Sequence, residues 1–184
     1  MRKTAIGLVV TVIAAGIVLS ACASSSKTSS AGVATSGASP KVSTVPPACT
    51  GNSVVTVAPA AASNPKAPAV ATFLTRRYRA VNEKDSETYW KMYTPRYGAK
   101  FNRAQVAAGY RSTEICDIRL TQLSPNADGR LAAKVTFTST QDAADGPNGQ
   151  TCTRWTVGFF LQNVRGGYLI DTPPPSYHAV YLAC

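Results

Sequence analysis

The first 22 residues limit what the rest of the chain can become. Arg2 and Lys3 precede an almost unbroken apolar run over residues 5–19, and the small residues Ser20, Ala21 and Cys22 follow. A short basic stretch, an apolar core and a cluster of small residues are the three parts of a secretory signal. Export would place the remaining chain where cysteines become cross-links rather than free thiols. Two other readings of the same residues stay open. Ala21-Cys22-Ala23 fits the small-x-small cleavage site of an ordinary secreted protein, and the apolar run is nearly long enough to cross a bilayer as an uncleaved anchor.

Leu19-Ser20-Ala21-Cys22 resembles the lipobox of bacterial lipoproteins, whose peptidase cuts before the cysteine once a diacylglycerol is attached to its sulfur. The resemblance implies a signal peptide over residues 1–21 and an acylated, palmitate-bearing Cys22 as the first mature residue. It also implies membrane lipid as a partner and a lipid-anchored location on the extracytoplasmic face of the cell membrane. Cysteine parity agrees. The chain has five cysteines, and an unpaired one outside the cell is an oxidation liability. Thioether formation at Cys22 leaves Cys49, Cys116, Cys152 and Cys184. Two acyl chains hold a protein stably on a membrane, at about 0.8 kcal/mol per buried methylene, where one does so only marginally.

Residues 22–66 are rich in Ser, Ala, Thr, Gly, Pro and Val. Such a stretch has too little large apolar surface to offset the entropy of ordering it, so it is expected to be a flexible tether. About 40 residues of this kind reach on the order of 35 Å. Cys49 and the run Ser53-Val54-Val55-Thr56-Val57 interrupt it and read as extended chain lying on the domain, fixed there if Cys49 is cross-linked.

Residues 67–184 are one domain's worth of chain. Val70, Phe73, Leu74, Arg77, Tyr78 and Val81 recur at i, i+3, i+4 and predict a helix ending near Lys84. A second helix is expected from an Asp85 cap to a stop before Pro95. A third is expected from an Asn102 cap, with Gln105 reaching back and Phe101 clasping Val106, to about Thr113. After Glu114 the period changes to two. Cys116, Ile118 and Leu120 open the first strand, Leu131, Ala133, Val135 and Phe137 mark the second, and Trp155, Val157, Phe159 and Leu161 mark the third. Arg165-Gly166-Gly167 turns into Tyr168-Leu169-Ile170-Asp171, which Pro173-Pro174-Pro175 must terminate. Tyr177 to Leu182 would form a short closing strand or a packed tail.

Helices followed by an antiparallel meander make an α+β domain with helices on one face of a curved sheet. The element order, the aromatic stretch Tyr89-Trp90-Lys91-Met92-Tyr93 and the paired stretches Cys152-Thr153-Arg154-Trp155-Thr156-Val157 and Gly167-Tyr168-Leu169-Ile170-Asp171 resemble the nuclear transport factor 2-like superfamily. That cone-shaped, cystatin-like fold also contains small polyketide cyclases and steroid isomerases, and exported actinobacterial lipoproteins of the superfamily look similar in these stretches. The resemblance covers about residues 67–172.

Enzymes of that superfamily place an Asp or His acid-base pair in the cone. Here only Asp171 and His178 are weak catalytic candidates, while Asp117 and Asp142 are expected to be solvated. No Gly-rich phosphate loop, His-x-Glu or Cys-x-x-Cys pattern is present, so neither a cofactor nor a metal is expected. Gly158 reads as a bend in its strand. The 19 Lys and Arg against 9 acids, with Arg76, Arg77 and Arg79 clustered on the first helix, suggest a basic surface drawn to an anionic envelope polymer. Nucleic acid is not expected, because no recognition motif accompanies the charge. The expected function is a non-catalytic binding or interaction module of the cell envelope, holding such a polymer or a small hydrophobic ligand. The alternative is a small isomerase- or cyclase-type enzyme using the cone pocket. Four cysteines permit three pairings; Cys116 with Cys152 and Cys49 with Cys184 would tie first strand to third and tether to tail, each contributing about 2–4 kcal/mol.

Overall fold

A computed structural model of the chain describes Cys49 and residues 52–184. The expected signal peptide, Cys22 and the tether up to residue 48 lie outside the described residues. No helix among the described residues is long and apolar enough to cross a membrane.

The sheet carries the fold. Strand β1 (Thr56–Val57) lies parallel to β2 (Glu114–Pro125), and β2, β3 (Leu131–Thr140), β4 (Cys152–Val164) and β5 (Gly167–Asp171) follow as an antiparallel meander. The sheet is curved and unclosed. Two register shifts in β2, between Cys116 and Arg119 and between Leu120 and Gln122, insert extra residues into that strand, and Asp117 takes a φ of 53° at the first. Bulges of this kind bend a strand and raise its twist. They also correct the expected strict alternation: Ile115, Ile118, Leu120 and Leu123 join the apolar core, whereas Cys116, next to Ile115 and also buried, stands outside it in its disulfide with Cys49.

The long strand β4 has two partners on one edge. Residues 160–164 pair with β5, and residues 153–156 pair with β6 (Val180–Ala183), so β5 and β6 run in line along the same neighbour. The chain between them leaves the sheet at the proline run and returns. At the gap, the Gly158 N–H donates to the Tyr177 hydroxyl, and a Cβ at Gly158 would sit 3.0 Å from the Tyr177 ring. Gly158 is therefore where a side chain from the returning segment approaches the backbone.

Helix α2 (Ala67–Asn82) lays Val70, Leu74, Tyr78 and Val81 on the sheet's inner face, against Ile118, Leu120, Val135 and Leu161. Asn82 fastens its end by donating to the Ile115 carbonyl and accepting from the Ile115 N–H. Helix α3 (Ser86–Lys91) starts at the Asp85 cap, whose carboxylate accepts from the Thr88 N–H. A short helix α4 (Pro95–Gly98), absent from the sequence reading, is capped by Thr94. Helix α5 (Arg103–Gly109) starts at the Asn102 cap as expected but ends sooner and buries none of its residues. The intervening Met92–Thr94 backbone trades hydrogen bonds with Ile170 and covers the free edge of β5.

Two expectations are corrected. Residues 52–66 are not tether: Ser53, Val55, Ala58 and Ala61 are buried, helix α1 (Pro59–Ala62) forms, and the Val55 N–H donates to the Thr75 hydroxyl. The folded unit thus begins well before residue 67. The disulfides are Cys49–Cys116 and Cys152–Cys184, not Cys116–Cys152 and Cys49–Cys184. Cys116 and Cys152 stand on β2 and β4 with β3 between them, which sets them roughly 10 Å apart, beyond what a disulfide spans. Cys184 closes β6 beside the start of β4, where its N–H donates to the Cys152 carbonyl.

Candidate functional site

Arg77 sits four residues after Phe73 on the inward stripe of α2, so the helix carries its guanidinium under the sheet rather than into water. It is 6% exposed. No acidic side chain pairs with it among the described residues. Its Nη2 donates long hydrogen bonds to the hydroxyls of Tyr89, at 3.4 Å, and Tyr93, at 3.3 Å, and the Tyr93 hydroxyl donates to that of Tyr89 at 2.7 Å. Its carbon lies 4.8 Å from the Phe159 ring centroid and 5.1 Å from that of Tyr89. Its Nε has no partner among the described residues.

The surrounding phenols do not supply the missing negative charge. Burial pushes the hydroxyls of Tyr78 and Tyr89 above the ordinary tyrosine range, outweighing the opposing pull of Arg77, and burial raises that of Tyr97 as well. These rings therefore stay neutral where arginine stays charged. What remains is a buried cation held by aromatic faces and neutral hydroxyls, an arrangement costly to leave without an anion.

Two cavities adjoin this cation. The first, about 240 Å³, is walled by Tyr93, Tyr97, Phe101, Phe160 and Tyr177 around Arg77. Its aromatic wall follows from the sequence locally: Tyr89 and Tyr93 are one turn apart, and the α4 turn brings Tyr97 and Phe101 against Tyr93 at ring separations of 5.7 and 6.0 Å. The second, about 380 Å³, is bounded by Phe137, Ser139, Gln141 and Trp155. Arg77, Tyr110, Val157 and Phe159 line both.

The candidates read from the sequence fall differently. Asp171 is buried at 6% exposure, but it is already occupied: Thr94 Oγ1 donates to it at 2.9 Å, Arg96 at 3.0 Å and Arg130 at 3.3 Å. Burial alone would raise its pKa, yet the Thr172 N–H, the Thr94 hydroxyl and Arg96 outweigh that and hold it below the ordinary carboxylate range. A carboxylate so neutralised is a weak base. His178 is exposed in the segment that returns to β6. Arg76 and Arg79 are exposed as expected, but Arg77 is not part of a basic surface with them, because the 3.6-residue period points it inward. Asp117 and Asp142 are exposed. Among the described residues no group of three His, Cys, Asp or Glu could hold a metal ion.

The sequence reading missed Tyr89, Tyr93, Tyr110 and Tyr177 as one site. The available signal was the charged residue inside an otherwise apolar helical stripe. No family model, curated protein or solved structure matches the chain.

Proposed function

We propose that the chain is a lipid-anchored envelope protein whose domain, of the cone-shaped nuclear transport factor 2-like kind, holds a small, largely apolar molecule by an anionic group set against Arg77. The buried and uncompensated guanidinium carries this reading, since a bound carboxylate would supply the charge that the protein does not. The aromatic wall of the first cavity suits an apolar body, and the low local dielectric strengthens a charged contact made inside it. The lipobox-like ending at Cys22 supports the anchor. Asp171, committed to two arginines, supports binding rather than acid-base turnover.

The test uses the chain from residue 22 onward carrying Cys22→Ser, so that no detergent competes. Decanoate, 1-decanol and decylammonium are titrated while tryptophan fluorescence from Trp90 and Trp155 is followed. Decanoate is expected to bind at least about 10-fold tighter than the alcohol, with no binding of the amine. Arg77→Met should abolish that preference. Equal binding of all three, or a preference that survives Arg77→Met, would exclude the reading.

A further inference from the structure

The second cavity has its own unspent polar groups. Gln141 is 8% exposed and lines it. Its Nε2 donates to the Gln150 carbonyl at 2.8 Å and to Thr153 Oγ1 at 3.0 Å, while the Thr153 hydroxyl donates to Gln150 Oε1. These bonds fix which end of the amide is nitrogen, because reversing it would set Oε1 against a carbonyl oxygen. The remaining Oε1 has no partner among the described residues. A buried acceptor left unmade costs about 1–3 kcal/mol. In the same wall, Ser139 Oγ accepts from Trp155 Nε1 at 2.8 Å. Its own proton donates to no group among the described residues.

At its Gln141 end the cavity thus offers one buried acceptor and one hydroxyl proton, flanked by the rings of Phe137 and Trp155, which stack at 6.0 Å and 17°. Charged groups suit the Gln141 end poorly, since Gln141 Oε1 repels an anion and Arg77, which also borders the cavity, repels a cation. A group that donates and accepts at once suits it well. Because Arg77 and Tyr110 border both cavities, one extended molecule can reach from the guanidinium into this space.

We infer that the second cavity is a separate subsite for an alcohol hydroxyl, read by Gln141 Oε1 and Ser139, so that the ligand is a hydroxylated apolar acid with its carboxylate at Arg77 and its hydroxyl at Gln141. The inference rests on the anion reading of Arg77 and adds a second polar end to it. Gly109 supplies a probe that leaves the Gln141 bonds intact. It lies in α5, lines the cavity, and a Cβ built on it meets nothing within 4 Å.

The experiment compares plain and ω-hydroxy fatty acids of graded length on the same Cys22→Ser chain, by calorimetry. At one length the hydroxy acid should bind about 3- to 10-fold tighter than its plain counterpart, the worth of one satisfied hydrogen bond. That ratio should fall to one in both Gln141→Leu and Gly109→Leu, while Arg77→Met weakens both acids and keeps the ratio. A ratio of one at every length would mean that the cavity holds only water, and it would overturn the inference with the Arg77 reading intact. So would a ratio that survives Gln141→Leu; where that variant does not fold, Gly109→Leu decides. If plain acids fail to bind but 1-decanol binds in a Gln141-dependent way, the Arg77 reading falls and the hydroxyl subsite stands. If no probe binds, both fall.

Discussion

Replacing Arg77 with Met should make this protein more stable while removing its anion preference. The wild-type guanidinium is buried without a carboxylate, and the penalty for such a charge is several kcal/mol, taken as about 5. Against this, the variant loses two hydrogen bonds that are long, at 3.3 and 3.4 Å, together about 1 kcal/mol. It also loses contacts with the rings of Tyr78, Tyr89 and Phe159, together about 2 kcal/mol. Methionine occupies the space of the arginine stem and tolerates irregular surroundings. The balance is a gain of about 2 kcal/mol, or a rise in Tm of roughly 5–10 °C. Thermal denaturation followed by circular dichroism, without ligand, measures it. A variant that melts several degrees below wild type would refute the reasoning. The aromatic cage would then be compensating the charge by itself, and Arg77 would be a structural post.

Further outcomes follow from other residues. Cys152→Ser with Cys184→Ser opens a link between residues 32 apart, worth at most about 4 kcal/mol in chain entropy; hydrogen exchange should quicken first in β6, and uniform quickening across the sheet would contradict the local role. Asp171→Asn removes one carboxylate partner of Arg130, whose side chain is 17% exposed and which keeps Asp128 and the Thr172 carbonyl, and should cost about 1 kcal/mol, the exposed Arg96 adding little. Because the native Asp171 pKa is depressed, its contribution is complete above the ordinary carboxylate value near 4 and is lost as pH falls through the native one; urea melts from pH 6 to pH 2 should therefore flatten in Asp171→Asn relative to wild type, whereas His178→Ala should stay within about 0.5 kcal/mol. Gly158→Ala sets a methyl 3.0 Å from the Tyr177 ring and should cost about 1 kcal/mol, a cost that Tyr177→Ala should relieve in the double variant.

Local signals were sufficient for much of the fold. The 3.6-residue stripe drew α2, the Asp85 and Asn102 caps fixed two helix starts, and alternation over residues 131–137 and 155–161 marked β3 and β4. Each depends on neighbours within one turn or one pleat, which a linear reading contains. Even Arg77 was legible as a stripe position; its charge, read as belonging with Arg76 and Arg79, hid where the same period pointed it. Other features depended on which distant segments meet. Cys116 stands outside the apolar core, and the interposed β3 separates it from Cys152, so strand order rather than spacing chose the disulfides. Ser53, Val55, Ala58 and Ala61 are buried only because β2 and α2 are there to receive them, and a composition poor in large apolar residues carries no sign of that. The site is the extreme case: Arg77, Tyr93, Gln141 and Tyr177 come from helix α2, the link between α3 and α4, the residue after β3 and a returning tail, and the missing partners of Arg77 and Gln141 are visible only once every nearby group has been placed.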